Sequence, residues 1–476
     1  MPDARLPPLH VDVVVVGAGT SGLAAYRSAI KSGKRVMLIE GGPGGTTCAS
    51  VGCMPSKLLI AAAEAAHGAA PSRTRPFGVH VDGTVRIDGH AVMDRVRRER
   101  DRFVGFVLEG VDAIAQSDKL QGWAAFTGTH TLDVHHPDKG VTSVVFGTAV
   151  IATGSKAVYP AAWDAVGDRL VVNDDVFGWT TLPKSVAVFG PGVIGLELGQ
   201  ALHRLGVKVV VFGRGNSLGP LSDPQVRDTA LAVLGAEFPL YPDAHVRGVE
   251  KGPDGQVHVT YRHEDGTWHT DRFEYLLAAT GRAANVGGLN LGALGVALDA
   301  KGLPTLNQST LALVDCPHVF MAGDVHGARP LLHEAADDGV VAGENAANYP
   351  EVRPAFRRAA LGVVFCDPQM SVVGPGYSRL PQGAFVVGRV SFHNQGRARV
   401  MLRNQGALHV YVDVATRKFL GAEMMGPSAE HIGHLLAWSL QQGLTVDQML
   451  AMPFYHPVVE EGLRTALRDA LAQLAA

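Results

Sequence analysis

The chain opens into an unbroken apolar run, Val13 to Val16, closed by glycine. A short apolar run bounded by glycines reads as a strand buried on both faces, as in a parallel sheet. An amphipathic stretch follows, then a second apolar run ending at Glu40. The order recurs from Ser185, where "SVAVFGPGVIGLELGQALHRLGVKVVVFGRG" again predicts strand, glycine turn, helix and strand. "VIATGS" (150–155) and "LAATGR" (277–282) form a further matched pair, each a strand entering a Thr-Gly turn. From about Pro350 the texture changes. "RVMLRNQGALHVYVDVATRKFLGAEMM" shows strands broken by turn signals at 404–406 and 415–418, which predicts antiparallel hairpins. Two helical stretches, "SAEHIGHLLAWSLQQG" and "VVEEGLRTALRDALAQL", complete a separate α+β region.

The glycines carry chemistry. Gly17, Gly19 and Gly22 form G-x-G-x-x-G between strand and helix, and Glu40 lies 18 residues past Gly22 (40 − 22). The first glycine permits the tight turn and the second lets the backbone approach a pyrophosphate. The third lets the helix pack close to the strand, its N-terminus facing the anion. Glu40 is placed to accept a ribose 2′-hydroxyl. Gly190, Gly192 and Gly195 match the same fingerprint, so two dinucleotides are expected. "HVFMAGDVHG" delivers Asp324 to a loop before a helix starting near Leu331, where it either binds a polyol or caps the turn.

At 476 residues the chain has room for roughly three domains. A net charge of −3 and a pI near 6.7 offer no electrostatic case for nucleic acid or an anionic membrane. "MPDARLPPLH" has no leader pattern and Val13 to Val16 is too short to span a bilayer, so a cytoplasmic location is expected. There a pair of cysteines five apart, Cys48 and Cys53 (53 − 48), reads as metal-binding or redox-active rather than as a structural framework. Zinc wants further Cys or His at ligand spacing and none lies nearby, so no metal is expected and redox chemistry is the better reading. "MPSKLLIAAAEAAHGAA" predicts a helix, and Cys53, just before its N-terminus, stands where a thiolate is favoured.

With Cys-x4-Cys-x-Pro-Ser-Lys between two fingerprints, the whole chain resembles the flavin-dependent pyridine nucleotide–disulfide oxidoreductases, the family of dihydrolipoyl dehydrogenase, glutathione reductase and mercuric reductase. The resemblance implies an α/β chain with two Rossmann-like dinucleotide-binding domains, for FAD and NAD(P), and a C-terminal α+β dimerisation domain. Boundaries are expected at 1–155 (FAD), 156–280 (NAD(P)), 281–349 (second part of the FAD and central region) and 350–476 (dimerisation). It implies FAD on Gly17, Gly19, Gly22, Glu40, Lys57, Thr153, Gly154 and Asp324. A nicotinamide nucleotide is implied on Gly190, Gly192, Gly195, Arg214 and Gly281. By motif position Cys48 matches the interchange thiol and Cys53 the thiol that contacts the flavin, with a redox disulfide between them. Lys57 matches the lysine near the flavin and Glu197 its carboxylate partner. "YHPVVEE" matches His-Pro-x-x-x-Glu, so His456 is implied as the base and Glu461 as the carboxylate that orients it. In the family this pair reaches the disulfide of the other subunit.

Two positions depart from the family pattern. Thr46 replaces the second glycine of Gly-Gly-Thr-Cys, and Ser50 replaces an Asn two after the first cysteine. The expected activity is that of a dihydrolipoyl dehydrogenase, oxidising a dihydrolipoyl group on a separate acyltransferase or carrier protein and serving cell redox homeostasis. The alternatives are an NADPH-dependent disulfide reductase like glutathione reductase and a flavoprotein that serves mainly as a scaffold. Nicotinamide choice is expected to be loose: 18 past Gly195 (213 − 195), where NAD enzymes place an acid, stand Gly213 and then Arg214, so NAD with NADP(H) accepted is the reading.

Overall fold

The structure, a computed structural model, describes residues 5–263 and 265–475. The chain divides into two compact units. One comprises residues 1–55, 97–158 and 282–357, the other 56–96, 159–281 and 358–476.

The first unit is built on the opening apolar run. Arg5–Val16 lies parallel between Val36–Glu40 and Gly140–Ile151. Gly140–Ile151 is long enough to fork: its first half pairs antiparallel with Thr131–His136, its second half parallel with Val319–Met321. Both faces are buried, as an unbroken apolar run requires. Val13, Val15, Leu38, Val150 and Phe320 belong to one core cluster, and Val14, Val16, Ile39, Ile151 and Met321 to the other. Helix Thr20–Ile30 meets helix Leu332–Asn348 through small residues. A Cβ at Gly339 or Gly343 would run into the carbonyls of Ser21 and Ala25.

The second unit repeats the parallel core, with strands ordered Leu240–Tyr241, Lys208–Phe212, Ser185–Phe189, Tyr275–Ala278 and Leu170–Val171. An antiparallel three-stranded sheet, Val246–Lys251, Val257–Arg262 and Trp268–Phe273, shares a core cluster with it. Of the two predicted hairpins the one turning at 415–418 is present, joining Ala407–Asp413 to Phe419–Gly426. The stretch before 404 is instead the short helix Gly396–Val400, and Ala407–Asp413 pairs antiparallel on its other side with the more distant Phe385–Ser391 in a five-stranded sheet. Helices Ala429–Gln441 and Glu461–Ala475 contribute Ile432, Leu436, Leu463 and Leu467 to its core. Among the described residues no helix is long and apolar enough to cross a membrane.

A buried carboxylate ties this unit together. Asp223 caps helix Pro224–Gly235 by accepting from the amides of Gln225 and Val226. Its other oxygen accepts from His409 Nδ1 at 2.7 Å and the Tyr411 hydroxyl at 3.1 Å. Burial pushes the Asp223 carboxyl upward, but the bonds from His409 and the cap amides outweigh it and hold it below the ordinary carboxylate value. A depressed folded value stabilises the fold above the unfolded pKa of about 3.9 and ceases to do so as pH falls through the folded value. The urea midpoint is therefore expected to drop as pH falls below about 4. Asp223→Asn should lower stability at pH 7 by on the order of 1–3 kcal/mol and flatten that acid limb. Equilibrium unfolding of both proteins across pH checks it.

Candidate active site

The two glycine turns superimpose in chemistry bond for bond. Gly17 and Gly190 sit at φ +106° and +107°, open only to glycine. Their amides donate to Ile39 and Phe212, each at 2.8 Å. A Cβ on Gly17 or Gly190 would strike the carbonyl of Ala152 or Ala279, and one on Gly22 or Gly195 the carbonyl of the first glycine in its own turn. At Gly19 and Gly192, by contrast, a Cβ would meet nothing within 4 Å, so the backbone there stands open to a ligand.

Around the first turn, both oxygens of Glu40 accept backbone amides, from Ala18 at 2.6 Å and Gly42 at 2.7 Å. Each oxygen keeps a lone pair for a hydroxyl. Asp324, half-buried, accepts from Ser155 Oγ at 3.0 Å, and Ser155 in turn accepts from Arg282 Nε at 2.8 Å. Gly154 has φ +69°, and the Thr153 hydroxyl beside it is buried without a hydrogen-bond partner. The open glycine turn, an acid at each side and an orphaned buried hydroxyl fit FAD, whose pyrophosphate and ribityl hydroxyls need amide donors and polar acceptors.

Cys48 lies half-buried in the one-turn helix Thr47–Ser50, and Cys53, exposed, is the first residue of helix Cys53–Gly68 rather than the residue before it. The two departures from the family pattern meet here. Thr46 adopts φ +56°, ψ 143°, a costly conformation for a β-branched residue. Its hydroxyl caps Ala49 N at 3.3 Å, and its carbonyl accepts from Ser50 Oγ at 2.6 Å. The substitutions thus compensate each other locally.

In the second unit, Lys57 Nζ bonds Glu197 Oε2 at 2.7 Å. Glu197 is buried, and its other oxygen accepts from Phe365 N at 2.9 Å. Lys57 also stands 4.5 Å from the Phe365 ring centroid, a cation–π contact that no sequence signal announced. Elsewhere in this unit His456 Nδ1 contacts both oxygens of Glu461, at 3.0 and 3.1 Å. That pairing puts the ring proton on Nδ1 and leaves Nε2 as an acceptor on a largely exposed side chain. The His456 bond, with further help from Val458 N and Arg464, holds the Glu461 carboxyl below its ordinary range. Arg464, bonded to Glu461 at 2.8 Å, was legible as an i,i+3 pair at the helix start.

At the second turn, strand Lys208–Phe212 is followed by Gly213, whose amide donates to Tyr241 O at 2.7 Å. A Cβ there would lie 2.5 Å from Pro242 O and 2.7 Å from Pro191 Cγ, so no acid can stand at this position without moving backbone. Arg214 is exposed, and Asp243 Oδ1 accepts from Gly215 N at 2.7 Å. Gly281, the glycine of the second Thr-Gly turn, adopts φ +128°.

Residues 11–339 match the pyridine nucleotide-disulphide oxidoreductase family and residues 361–467 its dimerisation domain, which supports a homodimer. The dihydrolipoyl dehydrogenase of Haloferax volcanii is 28% identical over 474 residues, covering 97% of this chain and 96% of that protein. Dihydrolipoyl dehydrogenase 3 of Pseudomonas putida is 30% identical over 469 residues, covering 96% and 97%. The mercuric reductase of Acidithiobacillus ferrooxidans is also 30% identical, over 470 residues, covering 96% of this chain and 82% of that protein. Among solved structures, the flavoprotein disulfide reductase RclA of Escherichia coli in its Cu(II) complex shares the fold, with a TM-score of 0.79, 23% identity and coverage of 98% and 100%. With two glycine cradles, a close cysteine pair and near full-length relatives, the chain belongs to the pyridine nucleotide-disulphide oxidoreductases and is an FAD-dependent disulfide oxidoreductase that uses a nicotinamide dinucleotide.

Proposed function

We propose that the enzyme is a dihydrolipoyl dehydrogenase, oxidising dihydrolipoyl groups carried on a separate acyltransferase or carrier protein. The observation that carries the reading is the His456–Glu461 pair, which fixes an outward imidazole acceptor of the kind a dithiol substrate needs and a metal-ion substrate does not. His456 Nε2 takes a proton from a substrate thiol. The resulting thiolate attacks Cys48, breaking the Cys48–Cys53 disulfide and releasing Cys53 as a thiolate. The second substrate thiol, deprotonated in turn, attacks its own mixed disulfide, so substrate leaves as disulfide and Cys48 is left reduced. Glu461 holds the imidazole tautomer and stabilises the ring when it is protonated. FAD, when bound, supplies the two-electron acceptor that reoxidises the thiol pair and passes hydride to the nicotinamide. Lys57, held by Glu197, is a fixed positive charge presented to the flavin. The base is supplied to the disulfide by the second subunit of the dimer.

A second reading, use of NADP(H), is favoured by one observation. The space for an acid at position 213 is filled by Pro191 and Pro242, so the usual repulsion of a 2′-phosphate is missing at the strand end while Arg214 follows it. NAD⁺ is the acceptor for lipoamide chemistry, with NADP(H) discriminated against only weakly.

Of the four cysteines in the chain, denaturation without reductant should leave two titratable thiols, Cys316 and Cys366, rising to four after reduction. Four thiols in the air-oxidised holoenzyme would remove the redox disulfide.

His456→Ala should lower dihydrolipoamide oxidation by about 10²–10⁴ while sparing a diaphorase assay that bypasses the disulfide. Equal losses in both assays would mean a folding defect. Subunit exchange between Cys48→Ser and His456→Ala dimers should recover activity, and verified exchange without recovery would separate His456 from its partner's disulfide. Steady-state comparison of dihydrolipoamide with NAD⁺ against glutathione disulfide with NADPH tests the substrate assignment itself. Finally, Arg214→Ala should cut kcat/KM for NADP(H) at least tenfold and leave NAD(H) within about twofold, the contrast expected of a phosphate contact worth roughly 1.4 kcal/mol or more. Equal effects on both nucleotides would exclude Arg214 as a reader of the 2′ position.

A further inference from the structure

One cluster of ligating side chains in the second unit takes no part in the chemistry above. Strands Val257–Arg262 and Trp268–Phe273 pair antiparallel with Tyr261 opposite His269. His263, two residues beyond Tyr261, therefore projects from the same face as His269 as its diagonal neighbour. Their ring centroids are 5.0 Å apart, and the turn is closed by His263 N donating to Thr267 O at 2.9 Å. Asp265 curls over this face from the turn. Its Oδ1 accepts from Thr267 N at 2.8 Å and Thr267 Oγ1 at 2.6 Å. The carboxylate oxygens lie 3.9 Å from His263 Nδ1 and 3.9 Å from His269 Nε2. One donor atom from each of the three residues falls within 4.8 Å of the other two.

We propose that this turn binds a divalent transition-metal ion of the zinc or copper(II) class through His263, Asp265 and His269, with the outward position open to water. Two ligands each about 2.1 Å from a tetrahedral ion stand about 3.4 Å apart. The carboxylate-to-imidazole spacings of 3.9 Å need to close by only about 0.5 Å, and no spacing in the set by more than about 1.4 Å. Two imidazoles and one carboxylate suit zinc, copper(II) and nickel rather than magnesium or calcium, and the set contains no thiolate to select a softer ion. Support for the ligands is already present. Thr267 fixes the carboxylate, as outer partners do in metal sites, and the Tyr241 ring meets the His263 ring edge-on at 6.1 Å. Binding at His269 Nε2 exchanges its 2.7 Å contact with Thr267 Oγ1 for the ion, while that hydroxyl keeps its bond to Asp265. The ion would pin the two ends of the hairpin beside Tyr241, whose carbonyl receives the Gly213 amide.

The test uses the full-length FAD-loaded enzyme with its thiol pair oxidised, titrated calorimetrically with zinc sulfate and, separately, copper sulfate in a non-chelating buffer. One equivalent per chain with a dissociation constant on the order of micromolar is expected. His263→Ala, His269→Ala and Asp265→Ala should each weaken it at least tenfold, within the range of about 10–100-fold for loss of groups at a metal site. His431→Ala, an exposed histidine elsewhere, should leave it unchanged. Zinc should raise the melting temperature of the wild type and not that of the His263→Ala/His269→Ala double variant. Retention of the same isotherm by the double variant, or no saturable binding below about 1 mM (about −4 kcal/mol), overturns the assignment. Diaphorase activity equal to wild type shows that each variant is folded.

Discussion

The first and third glycines of each cradle are in contact, and much of the enzyme depends on that contact. With no Cβ on Gly22 or Gly195, the helix start comes down onto the carbonyl of Gly17 or Gly190, and the amides of the first helical turn face outward. The first glycine makes this possible by adopting a backbone conformation closed to other residues. Either strand then carries on to bury a fully apolar sheet, because the helix lies flush against it. The same device, used twice with the same bonds at the same lengths, gives one chain two anion-facing helix ends.

Around this frame the charged groups are spent with little waste. Glu423 is wholly buried and accepts the amides of Ser222, Asp223 and Tyr377 and the Ser222 hydroxyl, so its desolvation is met by four charge-assisted bonds. Asp223 next to it binds a cap, an imidazole and a phenol. Glu197 follows the same logic but divides its oxygens between a backbone amide and Lys57, and so holds the lysine ammonium in place. His456 is the opposite case. Its ring is exposed, and Glu461 with Arg464 fixes one face of it while the other stays available.

The Cys48 loop shows how a family pattern can be altered without loss of local satisfaction. A threonine in a glycine-type conformation costs on the order of 1–3 kcal/mol. Part of that is offset by a hydroxyl cap on Ala49 and by the Ser50 hydroxyl on the Thr46 carbonyl. Neither residue alone explains the other; together they close the turn that presents Cys48.

How much of this was legible beforehand follows from the range of the interactions. Glycine spacing, apolar runs and the Cys-x4-Cys segment are local, and backbone sterics and helix-end electrostatics act within a few residues. So the two cradles, the hairpin near residue 416 and the closeness of Cys53 to a helix start could be read from the chain, whereas the strand expected before residue 404 is a helix, Gly396–Val400. The Glu461–Arg464 pair belongs to the same class. Partners far apart in sequence were beyond such reading. Phe365 over Lys57, Ser155 between Arg282 and Asp324, and the compensation of Asp223 by His409 arise only when strands distant in sequence are set side by side. Position 213 is the clearest case. The sequence alone determined that no acid stands there, whereas only the tertiary structure decided why: Pro191 and Pro242 occupy the volume that a side chain would need.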